Sequence, residues 1–313
     1  MSEPLTGVAA PASASEVEQP AQAQRLRRRS RLETWLFLLP AALFQLVWGW
    51  YPLLMAFLIS FTDAQPMLPS RFTGLESYLR VWNDPLVGQA FRVTFIYGTM
   101  LVALTFIFPL LIAIFLMELP PRLMRWMMIL WFLPISVIAN GILWRYLYNE
   151  QYGLLEYIAT EILHLPHQPF LNDPHQVLFW LVFPSVVVAG PGVAGLAYMA
   201  ALQGIPRSYF EAAEIEGAGF WRKIWTVSLP RLRPVIAVML VYGIIQGLQD
   251  YTWPQILTGG QPEGASRTVM LYLFSYIQNQ RYADATALSI YLFLLIFFVV
   301  VLFRIFFKED PDA

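Results

Sequence analysis

The side chains in this sequence that could do chemistry are arranged for binding rather than for making or breaking bonds. The stretch Glu211-Ala212-Ala213-Glu214-Ile215-Glu216-Gly217 is a charged, small-residue island between long apolar segments, followed by Pro230 in Val227-Ser228-Leu229-Pro230. The adjacent Ala212 and Ala213 let another surface approach the backbone, and Glu211 offers a carboxylate to a cationic partner. Gly217 and Gly219 permit a sharp bend between two short helices, because glycine tolerates positive φ. The pattern reads as a docking element of two short helices over about residues 207–225, with Arg222 and Lys223 as rim contacts. The plainer alternative is an amphipathic loop whose charges are merely solvated.

A second constellation follows. Tyr242, Gln246, Gln249, Asp250 and Trp253 recur at i, i+4, i+7, i+8 and i+11, which puts them on one face of a helix. Polar groups in an apolar run are expensive unless they face protein or a water-filled cavity. Amides, a carboxylate and aromatic rings together suit a polyhydroxylated solute, by hydrogen bonding its hydroxyls and stacking on its C–H faces. The competing reading is helix–helix contact, with Gly243 and Gly247 as a small-x3-small pair and Asp250 at the outer interface. Asn140, polar in another apolar run, divides the same way between an interhelical hydrogen bond and a ligand.

Other chemistries find no support. His164, His167 and His175 share one loop and read as solvated rather than metal-binding, and neither a metal nor a cofactor is expected. Glu150, Glu156 and Asp173 in that region either receive a soluble binding protein or form a plain solvated face. With no cysteine there are no disulfides, thiolate sites or cysteine nucleophiles. The two lysines, Lys223 and Lys308, do not follow glycines, so a phosphate-cradling loop is lacking and the chain is not expected to hydrolyse ATP. The apolar runs hold no histidine and no cluster of carboxylates for paired acid–base work, so the chain is not expected to be an enzyme.

The elements that position these residues are legible from composition. The chain is 58% hydrophobic and 13% charged, against roughly 25% charged in soluble domains. Its mean hydropathy is +0.54. A net charge of −1 and the lack of a basic, aromatic-laced stripe exclude nucleic acid as a partner. A bilayer crossing takes about 20 apolar residues, and suitable runs occupy residues 35–61, 93–117, 126–144, 177–202, 235–253 and 285–303. The expected fold is therefore all-α and membrane-embedded, with six spans and the charged island between the fourth and fifth.

Arginine and lysine cluster in the segments that share a side with the N-terminus, at Arg25, Arg27, Arg28, Arg29, Arg31, Arg122, Arg125, Arg222, Lys223, Arg304 and Lys308. The positive-inside rule then places both termini and the island in the cytoplasm. Residues 1–24, rich in Ala, Ser, Pro, Gln and Glu, read as a disordered tail continuing to about residue 30. The membrane domain covers residues 31–309, and 310–313 form a short C-terminal tail. No strong internal repeat is evident, which weighs against a secondary transporter built from paired halves.

An ordered series of motifs resembles the permease subunits of binding-protein-dependent ABC importers, carbohydrate type. It comprises Phe37-Leu38-Leu39-Pro40, Tyr51-Pro52, Leu133-Pro134, Trp144-Arg145, the island itself, and Leu257-Thr258-Gly259-Gly260-Gln261-Pro262 followed by Ala285-Thr286-Ala287-Leu288-Ser289. The last two are similar to the maltose-type first permease of a heterodimeric pair. The sequence departs from the pattern at Gln261, where a third glycine is common, and in residues 188–193, where a tryptophan is common.

The resemblance implies a subunit of an ATP-driven sugar importer in the bacterial inner membrane. It would work with a second permease, two ATP-binding subunits and an extracytoplasmic solute-binding protein. Glu211, Ala212, Ala213, Gly217 and Pro230 would couple to the ATPase, and Tyr242, Gln246, Gln249, Asp250 and Asn140 would line the solute path. A glycerol-3-phosphate-type permease is the nearest alternative, and an ATP-independent secondary transporter the more distant one.

Overall fold

The computed structural model describes residues 36–65, 70–131, 137–188 and 192–306. The tails expected at 1–30 and 310–313, and the motif Leu133-Pro134, lie outside these residues. Among the described residues there is no strand, only an isolated antiparallel bridge between Thr62 and Phe72. Such a chain has little choice: in an apolar solvent every backbone N–H and C=O must be paired internally, and a helix does this within one segment.

Four helices are long and apolar enough to cross a membrane, namely Leu36–Ile59, Pro85–Met117, Phe220–Leu257 and Tyr282–Ile305. A fifth crossing arises if Val177–Val187 and Gly192–Gln203, inclined at 44° to each other, are taken as one broken span. The expected run at 126–144 is divided between Pro121–Trp131 and Val137–Leu147, with residues 132–136 outside the description. Six expected runs thus correspond to four long crossings, one bent pair and one divided segment.

The first crossing, α1 (Leu36–Ile59), includes a π-turn at Leu46–Trp50. It belongs to a unit ending at Leu58, and the remaining elements form a second unit from Ile59 onward. In that second unit α2 (Glu76–Trp82) leads into α3 (Pro85–Met117), the longest helix. Its start is well specified: Asp84 caps it by accepting the Leu86 N–H at 3.0 Å, and Pro85 takes the first position, where no N–H is needed. Its 33 residues span about 50 Å at 1.5 Å per residue.

The other elements of this unit are α4 (Pro121–Trp131), α5 (Val137–Leu147), α6 (Leu154–Tyr157), α7 (Val177–Val188), α8 (Gly192–Gln203) and α9 (Arg207–Ile215). After them come α10 (Phe220–Lys223), a π-turn at Ile224–Ser228, α11 (Leu229–Leu248), α12 (Thr252–Leu257), α13 (Val269–Gln278) and α14 (Tyr282–Phe306).

Helix α3 serves as the spine. Its N-terminal third packs with α2, α13 and α14 through Val81, Val87, Ala90, Val269, Tyr272 and Leu288. Its C-terminal third packs with α8, α9 and α11 through Leu110, Ile114, Tyr198, Leu202, Ala213 and Leu232. Between them, Gly98 of α3 meets Gly247 of α11 so closely that a Cβ on Gly247 would lie 3.3 Å from the Gly98 carbonyl oxygen. Backbones approach like this only where neither residue carries a side chain, which is how small residues hold membrane helices together. Gly247 therefore serves packing, whereas Gly243 faces only Val102 at 3.9 Å and borders open space.

Candidate functional site

A cavity of about 750 Å³ opens beside α3, walled on one side by α11 and the residues after it and on the other by α7 and α8. Tyr242, Gln246, Gln249, Asp250 and Trp253 all line it. The geometry behind this differs from one continuous helical face. Helix α11 ends at Leu248, and α12 restarts at Thr252, so Gln249, Asp250 and Tyr251 form a break.

Asp250 holds that break. One carboxylate oxygen accepts the Thr252 N–H at 3.0 Å, and the other accepts the phenol of Tyr97 on α3. The Asp250 carbonyl also accepts the Thr268 hydroxyl at 3.4 Å. Asp250 therefore borders the cavity with both oxygens engaged in protein contacts. The free hydrogen-bonding capacity on this wall belongs to Gln246 and Gln249, both exposed. The Gln246 amide donates to the Tyr242 hydroxyl at 3.0 Å, which orients both groups.

Asn140 is not among the residues lining this cavity. It is half-buried on α5, beside Gly141, where a Cβ would come within 2.8 Å of Ile256 of α12. The opposite wall carries Ser185 of α7 and Tyr198 of α8, neither of which stood out from spacing. Their runs look uniformly apolar to a periodicity test, and one tyrosine in such a run signals nothing by itself.

At the far end of α3 lies the charged island. Helix α9 ends at Ile215, the chain reverses at Gly217 with φ of +76°, and α10 starts at Phe220. The N–H groups of Gly217 and Ala218 donate to the carbonyls of Glu214 and Ala213, each at 2.9 Å, closing the end of α9. A residue with a Cβ would be strained at this φ, which is why glycine stands there.

Glu211 and Ala212 are exposed, whereas Ala213 is 8% exposed and packs against Ile224, Val227 and Leu232. The two alanines thus have different roles: Ala212 belongs to the accessible surface, and Ala213 anchors α9 to α11. Ile215, Trp221 and Trp225 add exposed apolar surface nearby. Pro230 is the second residue of α11, directly after the π-turn at Ile224–Ser228.

Of the two basic residues expected as rim contacts, Arg222 is exposed and Lys223 turns inward. Lys223 Nζ lies 2.8 Å from Glu214 Oε1, joining the two arms of the loop. Below the loop, a second cavity of about 580 Å³ is bordered by Glu118, Gln203, Arg207, Glu211 and Lys223. Arg231 stacks its guanidinium 3.4 Å from the centre of the Tyr209 ring, tying α9 to α11.

The three histidines do not converge. His167 Nδ1 lies 2.7 Å from Glu156 and its Nε2 3.7 Å from Glu150, while the His175 N–H donates to Asp173. The hydrogen bond with Glu156 raises the His167 imidazole above its ordinary value.

Comparison with known proteins places this geometry in context. Residues 29–309 match the family described as binding-protein-dependent transport system inner membrane component. The trehalose/maltose transport system permease protein MalF of Thermococcus litoralis is 31% identical over 286 residues, covering 90% of this chain and 96% of that one. The lactose transport system permease protein LacF of Rhizobium radiobacter is 30% identical, covering 80% and 84%. The sn-glycerol-3-phosphate permease protein UgpA of Salmonella typhi is 30% identical, covering 88% and 94%.

Among solved structures, a chain of a bacterial ABC transporter involved in importing the acidic polysaccharide alginate superposes with a TM-score of 0.77 at 20% identity. That match covers 93% of this chain and 99% of the other, and it establishes a shared fold. The chain belongs to the inner membrane components of binding-protein-dependent transport systems, as a non-catalytic permease subunit.

Proposed function

We propose that this permease carries a neutral sugar across the membrane, driven by ATP hydrolysed on partner subunits. The reading rests on one observation: a two-armed loop pivoting on Gly217, exposing Glu211 and Ala212, at one end of the spine whose middle borders a solute-sized cavity. In this reading six spans place both termini and the loop in the cytoplasm. Residues 1–30 and 310–313 are tails flanking the membrane domain.

Glu211, Ala212 and Gly217 form the contact with the ATPase, and Ala213 and Pro230 seat the loop on α11. A second permease faces the cavity, and two ATP-binding subunits and an extracytoplasmic binding protein complete the assembly. Movement of the ATPase pair is transmitted through α9 and α10 into α11, which carries Tyr242 and Gln246. Coupling of this kind needs a two-state element biased from both ends, and the loop is that element. Asn140, outside the lining of this cavity, is not assigned to the path.

Among the residues lining the cavity there is no lysine, arginine or histidine. This favours an uncharged polyhydroxylated solute over a phosphorylated one, which would need fixed cations to replace its hydration. The test is co-purification from native membranes followed by reconstitution in proteoliposomes. An ATPase, a second permease and a binding protein should be recovered, and uptake of maltose, trehalose or lactose should require ATP. Solute flux that survives ATP depletion would instead mark an ATP-independent transporter, and uptake of glycerol 3-phosphate alone would overturn the neutral-sugar assignment.

A further inference from the structure

The cavity has two polar walls, and the second is unusual. Tyr198 is fully buried, and its hydroxyl has no hydrogen-bond partner among the described residues. The hydroxyl of Ser185, also buried, is likewise unpartnered. Both residues line the cavity across from Gln246 and Gln249. A buried hydroxyl left unpaired loses its hydration without compensation, and nearly all such groups in native proteins find a partner. Two orphans bordering one cavity, on neighbouring helices, therefore call for a common explanation. Phenylalanine and alanine would fill the same space without the cost.

We propose that Tyr198 and Ser185 are solute-binding residues whose hydroxyls are reserved for the hydroxyl groups of the transported sugar. The inference deepens the sugar-permease reading and rests on it. A sugar hydroxyl can donate and accept at once, so it satisfies a phenol and a serine in whichever sense each presents. In the state described here both hydroxyls lie just beneath the cavity surface. A shift of this wall brings the hydroxyls to the solute, while Gln246 and Gln249 hold it from α11 and the residues after it. Binding energy then appears when the wall has moved, which ties recognition to the conformational step. A site that merely enclosed its solute would have its polar groups paired or solvated beforehand.

The test uses the complete assembly reconstituted in proteoliposomes, with uptake of maltose, trehalose and lactose as the probes. Tyr198→Phe should raise the KM for the transported sugar about tenfold, the size of one lost hydrogen bond. Ser185→Ala should raise it about threefold. Because each change removes an unpaired group, neither should lower the melting temperature of the detergent-purified complex. That combination, tighter or equal folding with weaker transport, is one that a packing role does not produce.

Wild-type KM in both variants for every sugar taken up would overturn the proposal. So would a lower melting temperature for Tyr198→Phe, which would mean that the hydroxyl is already paired in the resting protein. Wild-type complex that takes up none of the sugars would overturn the sugar reading, and this inference with it. That outcome is distinguishable because it needs no variant.

Discussion

At the N-terminal end of α3, Asp84 accepts hydrogen bonds from the phenols of Tyr272 and Tyr276, each at 2.7 Å, while capping the helix through Leu86. Arg281 lies 4.4 Å from the Tyr276 ring centre and pairs with the buried Asp284 at 2.8 Å. Asp284 in turn accepts Arg80 at 2.9 Å, and Arg80 reaches Glu76 at 3.0 Å. Burial alone would raise the Asp84 carboxyl, but the two phenols, the Leu86 N–H and the charge of Arg281 together hold it below the ordinary range.

At the C-terminal end of α3, the loop of α9 and α10 is held by the Lys223–Glu214 pair, the stacking of Arg231 on Tyr209 and the seat of Ala213. One end is cross-braced by branching contacts among α2, α13 and α14. The other is a short bent loop with few ties and much exposed surface. A transporter that moves one end against a fixed frame needs this asymmetry, because regions that switch are drawn from the weakly held parts of a fold.

The comparison breaks most visibly at Asp284. Replacing it with alanine strips the common partner from Arg80 and Arg281, whose side chains are 39% and 44% exposed and so partly screened; losing the charged hydrogen bonds should cost about 2 kcal/mol. Thermal unfolding of the detergent-purified complex should show a large drop, with uptake per folded molecule unchanged. A variant that folded normally but failed to transport would mean that this end moves as well.

At the opposite end the effects should fall on function. Glu211→Arg should leave the folding stability within about 0.5 kcal/mol of wild type, since the side chain is exposed. It should weaken retention of the ATPase in pull-downs by about 2 kcal/mol, the lower range for a disrupted interfacial charge pair. Unchanged retention would remove Glu211 from the contact.

Gly217→Val should cost about 1–2 kcal/mol of strain confined to the loop. Uptake and sugar-stimulated ATPase activity should fall together, while hydrogen exchange in α13 and α14 stays as in wild type. A smaller change comes from Lys223→Met, because a partly exposed ion pair is worth under about 1 kcal/mol. Its effect on ATPase stimulation should be reversed by the charge swap Lys223→Glu with Glu214→Lys, and failure of the swap would assign Lys223 to the partner surface.

The least effect is expected at His167, on the segment between α6 and α7. Its folded value is raised, so its contribution is complete below the unfolded value near 6.5 and is lost as pH rises through the folded value. Protection of residues 154–165 from hydrogen exchange should therefore decline on the alkaline side, and His167→Gln should flatten that dependence.

Much of this was legible before any coordinates. Apolar runs marked where long helices form, and the positions of Gly217 and Pro230 marked a bent loop ahead of α11. Spacing put Tyr242, Gln246, Gln249, Asp250 and Trp253 at one site, although the chain brings them there through a break at residues 249–251 rather than along one helix. The break was hidden because hydropathy barely changes across it and only the bonding of one carboxylate signals it. Lys223 looked like a rim charge because nothing local relates it to Glu214, whose position beside it depends on the turn at Gly217. Ala212 and Ala213 looked equivalent until the packing of α9 on α11 separated them.

The residue order alone determined the solvent this chain folds in, the positions of its helices and the character of its exposed loop, because hydropathy, glycine and proline act over a few neighbouring residues. Only the tertiary structure decided that Asp250 is claimed by Tyr97, 153 residues away, and that Gly98 receives Gly247. It likewise decided that Tyr198 and Ser185 border the cavity with their hydroxyls unmet. The physical reason is that a polar group's role depends on which distant side chain reaches it, and that is set by how helices cross rather than by the residues beside it in the chain.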